Sequence, residues 1–428
     1  MIRKISLLIP FSLLIGFSPI QAEEQIKADA TTSSSNLPLD EIRTFTEVFR
    51  KIKNDYVEEV DDKTLLENAI RGMLAGLDPH SNYLDSKAYQ GLQEGTTGEF
   101  GGLGIEVGME NGYVKIISPI DDTPAQRAGI QAGDLIIKMD NTPVKGMDLN
   151  DAIKLMRGKV GTNINLTIVR EGGDGPFDVV LTRDIITVKS VKSRTLEPGY
   201  GYLRISSFQS HTGDDLLKGL SKLKKENGDK LKGLVLDLRN NPGGLLGAAV
   251  AVSDSFLTEG LIVYTQGRLE NSEIRFNAKP TASFPKAPLV VLVNGGSASA
   301  SEIVAGALQD HRRAVIMGTP TFGKGSVQTV LPMKNDVAVK LTTARYYTPS
   351  GRSIQAEGIQ PDVLIERLRF EERTGPNLQI KERDLSGHLT QGDEEKNQKS
   401  VKKEPLAKQD YELYEALNML KGLALLKK

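Results

Sequence analysis

The sequence predicts an α/β protein built from several domains. Four apolar segments, near residues 201–205, 233–238, 289–293 and 314–317, have the length and composition of buried strands, and helix-like segments separate them. Strands that alternate with helices are typical of a sheet covered by helices. The chain has 428 residues, which is long enough for two or more domains, and amphipathic helical periodicity appears near both of its ends.

Composition excludes several classes of function. Lys and Arg (54) nearly balance Asp and Glu (55), the formal net charge is -1, and no basic tract stands out. Nucleic acid is therefore not an expected partner. The sequence contains no cysteine, so disulfides do not contribute to its stability. Its His, Asp and Glu residues do not cluster at metal-ligand spacing, and we expect neither a metal nor another cofactor.

The first 22 residues have the pattern of a secretory signal peptide. A basic start is followed by an apolar run to about Phe17 and by a small-residue cleavage site that ends at Ala22. The run is short for a membrane span. We therefore expect an exported protein that is soluble after cleavage, and periplasmic if its source is a Gram-negative bacterium. Residues 23–38 are polar and rich in Ser and Thr, as expected of a flexible leader.

Helical segments are predicted at both ends of the remaining chain. Residues 39–97 begin with an apolar stripe at helical spacing, and the turn at residues 77–84 (LDPHSNYL) is expected to hold its aspartate and histidine in structural roles. Residues 371–408 are charged and read as a linker. Residues 409–428 form an amphipathic helix whose leucine stripe needs a partner, either its own domain or another subunit. That stripe comprises Leu413, Leu417, Leu420 and Leu423.

The segment 288–328 is the best candidate for chemistry. An apolar strand runs into a turn (Asn-Gly-Gly), three serines alternate with alanines, and a helix follows. This geometry presents a serine hydroxyl at a helix N-terminus, where free backbone amides favour negative charge. Lys324, flanked by glycines, is a candidate base. Ser297, Ser299 and Ser301 cannot be told apart from the residues alone.

A serine–lysine pair makes a physical demand on its surroundings. A serine hydroxyl needs a neighbouring base, and a lysine, with an ordinary pKa of about 10.4, accepts a proton near neutral pH only when burial disfavours its charge. Gln328 carries a neutral amide that would hold the lysine without recharging it. The alternative is an exposed loop lysine beside an ordinary N-cap serine.

Two rival chemistries fit the sequence poorly. Residues 318–324 begin like a phosphate-binding loop, but Gly325 stands where a Ser or Thr should hold magnesium, and the next segment reads as a strand. A serine–histidine mechanism would need a histidine close to the serines. His311 alone lies near this segment, and its place at the expected end of the helix, before two arginines, indicates a surface position.

These motifs resemble those of the C-terminal processing (tail-specific) serine peptidases, a family with a Ser/Lys dyad. Residues 297–303 (SASASEI) and 321–328 (TFGKGSVQ) match two family motifs at the family's separation. The resemblance implies that Ser299 is the nucleophile, Lys324 the base and Gln328 a supporting residue. It also implies a crotonase-like α/β sandwich for the peptidase core, residues 185–370.

An earlier motif is expected to supply the oxyanion hole. Residues 236–244 (LDLRNNPGG) resemble the family's D-L-R-x-N-x-G-G pattern. Glycines at a strand end allow backbone amides to face a ligand, and such donors stabilise the charge that develops on a scissile carbonyl oxygen. The candidates are Gly243 or Gly244, together with the amide of Ala300. The sequence does not decide which glycine points inward.

Residues 98–184 resemble a PDZ domain inserted before the core. Gly102, Leu103, Gly104 and Ile105 occupy the positions of its carboxylate-binding loop, and the residues around 148–157 are expected to form its groove helix. Arg157 ends that helix. It either senses a bound peptide carboxylate and couples the PDZ domain to the protease, or simply places a favourable charge at a helix C-terminus.

The family resemblance implies an exported endopeptidase that binds protein tails through its PDZ domain and cuts them with its Ser/Lys dyad. The expected partners are proteins with exposed, apolar C-termini and further copies of the chain, as a dimer or larger homo-oligomer. Two alternatives remain open at the level of sequence. One is a PDZ adaptor that binds tails without cutting, and the other is a latent protease that requires an activating adaptor protein.

Overall fold

The computed structural model describes residues 37–268, 272–284, 286–366 and 406–426. The predicted signal peptide, nearly all of the predicted leader, and residues 371–405 of the predicted linker lie outside these ranges. The described helices are α1 (Leu39–Asp55), α2 (Asp62–Ala75), α3 (Ser86–Thr97), α4 (Pro124–Arg127), α5 (Leu149–Met156), α6 (Thr212–Glu226), α7 (Leu246–Asp254), α8 (Ala300–Asp310), α9 (Leu406–Gln409) and α10 (Tyr411–Leu426).

The described strands include the four predicted from apolar segments, near residues 201–205, 233–238, 289–293 and 314–317. In chain order the strands are β1 (Asn82–Leu84), β2 (Glu99–Gly102), β3 (Ile105–Glu110), β4 (Tyr113–Pro119), β5 (Leu135–Met139), β6 (Thr142–Pro143), β7 (Asn163–Val169), β8 (Phe177–Thr182), β9 (Asp184–Thr187), β10 (Val191–Glu197), β11 (Tyr200–Ile205), β12 (Gly233–Asp237), β13 (Leu261–Gly267), β14 (Ile274–Asn277), β15 (Leu289–Val293), β16 (Val315–Gly318), β17 (Ser326–Pro332), β18 (Ala338–Tyr347) and β19 (Val363–Leu364).

The core is organised around a six-stranded sheet in the order β10-β11-β12-β15-β16-β19, parallel except for β10. Strands β12 and β15 are buried along their whole length, as expected of parallel strands that are covered on both faces. One face packs on α6, α7 and α8, and the same cluster includes side chains of the second sheet, in which β18 pairs with β1, β13 and β17.

Helix α10 covers the other face of the central sheet. Leu413, Ala416 and Leu420 are buried against alternate residues of the strands, among them Val235 and Val290. The amphipathic stripe predicted from the sequence therefore packs on the chain's own core, which is the first of the two alternatives left open for it.

The PDZ-like segment forms its own sheet and its own core. Its strands follow the order β3-β4-β5-β7-β8, with β6 paired to β5, and α5 packs on the sheet. The segment joins the rest of the chain through a ribbon of two antiparallel strands, β2 and β9. Asp148 caps α5 by accepting a hydrogen bond of 2.8 Å from the amide of Asn150.

Residues 39–97, the region predicted as helical, also contain a short strand at the end of the predicted turn. Helices α1, α2 and α3 are present, but residues 82–84 form strand β1, which adds to the edge of β18. Three residues are too few to show a strand period in the sequence, and the partner strand lies more than 250 positions away. None of the described helices is long and apolar enough to cross a membrane.

Candidate active site

Ser299 lies at a sharp junction between β15 and α8. Its φ of 54° and ψ of -112° place it in a region that residues with a side chain rarely adopt, at a cost of about 1–3 kcal/mol. The amide of Ser299 donates a hydrogen bond of 2.7 Å to the carboxylate of Glu302, one turn into the helix. The strained backbone is thus held by a specific contact, and the serine side chain faces an open cleft.

The structure separates the three serines that the sequence could not. The Ser297 hydroxyl donates to the carbonyl of Leu238 at 2.8 Å, and the Ser301 hydroxyl donates to the carbonyl of Asn241 at 2.9 Å. Both serines are fully buried, so their hydroxyls serve to tie the turn to the neighbouring loop. Among the three, Ser299 alone lines the cleft.

The Glu302 carboxylate joins the serine turn to the lysine loop. One of its oxygens accepts hydrogen bonds from the Thr321 hydroxyl (2.6 Å) and the Gly323 amide (2.7 Å). The other accepts from the amides of Ser299 (2.7 Å) and Lys324 (2.9 Å). Burial raises the pKa of Glu302, and these four donors act against that rise. The sequence interpretation treated this residue only as part of a motif.

Lys324 has the environment that a lysine base needs. It is partly buried, and burial lowers its pKa below the ordinary value. The positive charge of Lys340 lowers the pKa further, while Asp78 and Glu302 act in the opposite direction. Within the described residues its ammonium group makes no hydrogen bond and no ion pair. The alternative of a fully exposed loop lysine does not fit this position.

Tyr346 closes the space beside the dyad. It is almost fully buried, and its phenol donates to the carbonyl of Lys324. Burial raises its pKa well above the ordinary value, and the negative charge of Glu302 adds to the rise, while a hydrogen bond with Ser299 opposes it. Tyr346 therefore stays protonated and can only serve the site as a neutral hydrogen-bonding group.

The cleft that holds Ser299 and Lys324 has a volume of about 470 Å³. Its wall is largely apolar, which suits an extended peptide with apolar side chains. The residues that line it, besides the dyad and Ala300, are Tyr89, Leu92, Gln93, Thr96, Pro242, Gly244, Leu245, Leu246, Ile303, Ser326, Val327, Gln328, Val330, Pro332, Lys340 and Tyr346.

Gln328 lies in the same cleft but does not contact the base. Its amide donates to the hydroxyl of Ser326 at 2.9 Å and, at 3.4 Å, to that of Thr342. A register shift in the β17–β18 pairing occurs at this point, between Val327 and Gln328. The supporting contact with Lys324 that the family resemblance implies is absent from this arrangement.

The two candidate oxyanion glycines differ. The Gly243 amide donates to the side-chain oxygen of Asn241 at 2.9 Å. The amides of Gly244 and Ala300 donate no hydrogen bond within the described residues, and both residues line the cleft. Gly243 has a φ of 102°, and a Cβ there would lie 2.8 Å from the Cβ of Ser299. Its lack of a side chain permits the loop to approach the nucleophile.

The turn at residues 77–84 borders the site, which the sequence did not reveal. The Asp78 carboxylate accepts from the hydroxyl and amide of Ser81 (2.7 and 2.9 Å) and from the amide of His80 (2.8 Å), and the Ser81 hydroxyl bond leads the effects that lower its pKa to about 2. Burial lowers the pKa of His80, and so does the charge on Lys324. The structural role predicted for Asp78 agrees with these contacts.

His311 caps the C-terminus of α8 and is exposed, with Nε2 2.7 Å from the carbonyl oxygen of Leu261. No group of three or more His, Cys, Asp or Glu side chains within the described parts of the chain is arranged to hold a metal ion.

The PDZ-like segment contains a second, smaller cleft of about 200 Å³. The five residues predicted for peptide binding, Gly102, Leu103, Gly104, Ile105 and Arg157, all line it. The groove lies between β3, which is an edge strand of its sheet, and α5. An edge strand can pair with an extended peptide, while the loop before it can receive the terminal carboxylate.

Arg157 connects this groove to α3. Its guanidinium donates to the carboxylate of Glu94 at 3.1 Å and lies 4.2 Å from the centre of the Phe100 ring. Helix α3 carries Glu94, and other residues of the same helix, Leu92 and Gln93 among them, line the catalytic cleft. Arg157 therefore does more than place a charge at the end of its own helix.

Comparisons with known proteins agree with this architecture. A model of peptidase family S41 matches residues 199–365, a PDZ-domain model matches residues 115–170, and a model of the N-terminal domain of the activating protease CtpB matches residues 16–88. The carboxy-terminal-processing protease of Bartonella bacilliformis is 47% identical over 428 residues, which cover 99% of this chain and 96% of that protein.

Two further relatives are more distant. The carboxy-terminal processing protease CtpA of Bacillus subtilis is 36% identical over 352 residues, covering 81% of this chain and 73% of that protein. The solved structure of a photosystem II D1 C-terminal processing protease is 33% identical, covers 75% of this chain and 92% of that one, and has a TM-score of 0.44.

The chain belongs to the S41 serine peptidases. Within them it is a C-terminal processing protease with a PDZ domain. The predicted family, the mixed α/β multidomain fold and the enzyme class are thereby confirmed. The assignment of individual catalytic residues stays a prediction, which the hydrogen bonds, burial and cleft lining described above support.

We expect Glu302→Gln to reduce activity strongly. The glutamine side chain has an NH2 group in place of one carboxylate oxygen, so two of the four donors lose their acceptor. Two hydrogen bonds are lost, and the serine and lysine segments separate. A displacement of this kind costs about 100-fold in kcat, and the unpaired buried groups cost ~1–3 kcal/mol in the free energy of unfolding. Peptide hydrolysis and urea denaturation measure the two effects. Exposed Glu357→Gln is the control, and equal activity of both variants would contradict the role of Glu302.

We expect Lys340→Met to move the pH profile of kcat/KM. The base must be neutral to act, so activity rises with pH through the pKa of Lys324. Removing the neighbouring positive charge raises that pKa, and the midpoint therefore shifts to higher pH. Lys340→Arg keeps the charge and the wild-type midpoint. Lys334→Met, in the exposed turn of the same hairpin, is the control; a shift there, or none in Lys340→Met, argues against the effect.

Proposed function

We propose that this chain is an exported endopeptidase that selects protein C-termini with its PDZ domain and cleaves them with Ser299 and Lys324. The observation that carries the assignment is the presentation of one serine hydroxyl out of three to a cleft that also holds a partly buried lysine with a lowered pKa. A PDZ adaptor without activity has no use for this pair.

The geometry supports a serine-protease sequence of steps. Ser299 Oγ attacks the scissile carbonyl carbon while its proton passes to the neutral amine of Lys324. The oxygen that becomes negative is stabilised by the free amides of Gly244 and Ala300. When the intermediate collapses, Lys324 returns the proton to the leaving amine. A water molecule, deprotonated by the same lysine, then attacks the acyl-enzyme, and Lys324 returns that proton to Ser299 Oγ as the acid product leaves.

Substrate selection would take place in the PDZ groove. The loop containing Gly102 and Gly104 would receive the terminal carboxylate, and the peptide would extend along β3. The apolar side chains that line the groove, Val107, Ile153 and Met156, favour tails that end in apolar residues. Proteins with exposed apolar C-termini are therefore the proposed substrates.

A latent form that needs an activating protein is the second candidate. One observation favours it: Gln328 is hydrogen-bonded away from Lys324. A small rearrangement of the β17–β18 hairpin would bring Gln328 to the lysine and complete the site. Binding of a substrate tail or of an adaptor protein would supply that rearrangement, because Arg157 and α3 link the PDZ groove to the cleft.

Homo-oligomer formation is also part of the proposal. Helix α1 buries none of its residues, although Ile42, Phe45, Val48 and Ile52 form an apolar stripe along it. A second copy of the same helix would cover this stripe. Substituting Phe45 and Val48 by serine is expected to lower the mass measured by light scattering, and an unchanged mass would count against this surface.

Export rests on the basic and apolar pattern of residues 1–22. Cleavage after Ala22 would leave Glu23 as the first residue of the mature protein. Mass spectrometry of the protein recovered from its native host measures that terminus, and an intact Met1 in the accumulated protein would argue against export.

The dyad is tested with an unfolded reporter protein that ends in apolar residues. We expect the wild type to cut it and Ser299→Ala to leave it intact, because no other hydroxyl of the serine turn faces the cleft. Ser301→Ala serves as the control and should still cut, and cleavage is followed by mass spectrometry. Binding of the tail without cleavage by the wild type would favour the adaptor or the latent form.

Coupling through Arg157 has its own test. We expect Arg157→Ala to reduce turnover of tail-bearing substrates several-fold, since α3 loses its link to the PDZ groove. Binding of a tail peptide, measured by fluorescence anisotropy, separates weaker capture from lost coupling. Lys154→Ala is the control, because Lys154 lies on the same helix and, within the described structure, its ion pair is with Asp151. Unchanged peptide affinity together with unchanged turnover in Arg157→Ala would remove the coupling role.

A further inference from the structure

The C-terminal helix is attached to the core by an arginine whose donors are all used. The Arg239 guanidinium donates two hydrogen bonds to Asp237 (3.0 and 2.7 Å), two to Asp410 (2.9 and 2.7 Å) and one to Glu412 (2.6 Å). An arginine has five N–H donors in a rigid fork. Each of them has an acceptor here, so Asp237 on one side and Asp410 and Glu412 on the other fix the position of the guanidinium.

The core-facing side of this cluster is buried, whereas Asp410 and Glu412 are partly exposed. Asp237 is fully buried and the Arg239 side chain is 11% exposed. The Tyr202 hydroxyl (2.8 Å) and Arg204 (3.2 Å) also donate to Asp237. Burial opposes the charge on Arg239, but the hydrogen bonds to Asp410 and Asp237 outweigh it and raise its pKa. Arg239 consequently stays protonated, and acceptors on two sides hold its guanidinium in place.

Arg239 stands directly before the glycine loop at the carboxyl end of β12. The next residues, 240–244, carry the candidate oxyanion amides. Within them, the Asn241 carbonyl accepts from the amide of Ala298 (3.0 Å) and the hydroxyl of Ser301 (2.9 Å), and its side chain donates to Ile205 (2.9 Å). A displacement of Arg239 would therefore reach both the oxyanion loop and the serine turn.

The ion pairs are not required to hold the helix in place. Leu413, Ala416 and Leu420 bury an apolar face of α10 against the sheet, which supplies attachment without charge. Buried ion pairs are weak contributors to stability, because desolvation offsets much of their attraction. Their directional hydrogen bonds, in contrast, can hold a loop in one defined position.

We propose that Asp410 and Glu412 are positioning residues for the oxyanion loop, so that docking of the C-terminal helix through Arg239 is needed for a competent active site. The inference rests on the proposed roles of Ser299 and of the glycine-loop amides. It makes the far end of the chain part of the catalytic machinery, although no residue of α10 lines the catalytic cleft.

The test compares two full-length variants in the same assay. Asp410→Asn with Glu412→Gln removes both charges but keeps the side-chain sizes, and asparagine still caps α10 in place of the Asp410 bond to the Leu413 amide. Lys421→Gln is the matched control, because it breaks an ion pair with Glu197 near the other end of the same helix. The readouts are kcat, KM, thermal unfolding and the Ki of a peptide boronate, whose adduct with a serine mimics the tetrahedral intermediate.

We expect the double variant to lose about 10-fold or more in kcat with little change in KM, to lose boronate affinity by a similar factor, and to remain folded at the assay temperature. Lys421→Gln should match the wild type in all four readouts. Wild-type kcat and boronate affinity in the folded double variant would overturn the proposal, and so would a loss shared equally by Lys421→Gln. If the wild type does not cut, or Ser299→Ala still cuts, the catalytic assignment itself has failed instead.

Discussion

The proposed active site depends on one buried carboxylate. Ser299 and Lys324 belong to separate segments, one at the start of α8 and one on the loop before β17, and nothing in either segment alone fixes their relative positions. Glu302 does so by accepting hydrogen bonds from both backbones and from the loop that precedes the lysine. The same contact holds the serine in its strained conformation, so positioning and strain have a common origin.

The carboxylate also shapes the electrostatics of the dyad. It contacts the backbone of Lys324 and not the ammonium group, which remains without a partner in the described structure. A direct ion pair would stabilise the charged lysine, raise its pKa and prevent it from acting as a base. With Glu302 engaged by four donors, burial and the charge of Lys340 prevail, and the pKa of Lys324 is lowered.

Sequence patterns predicted the parts of the fold and site that are local. The buried strands, the terminal helix and the serine and lysine loops all follow from runs of a few residues, and the family motifs located Ser299. What could not be predicted depends on contacts between distant segments: the bonds that Glu302 accepts from residues 321–324, the pairing of β1 with β18, and the bonds of Arg239 to Asp410 and Glu412. Hydrogen-bond partners chosen by tertiary packing leave no period in the sequence, which is why Glu302 looked like an ordinary helix residue.

The ribbon of β2 and β9 has a consequence for how the protein is put together. The amide of Val188, just after the PDZ segment, donates a hydrogen bond of 2.8 Å to the carbonyl of Gly98, just before it. The chain thus leaves the core for the PDZ domain and returns to it at nearly the same point. A short connection between these two points would close the core chain without the inserted domain. Such a junction makes tail recognition an exchangeable module: a different reader of chain ends could be grafted at this point without rethreading the catalytic core.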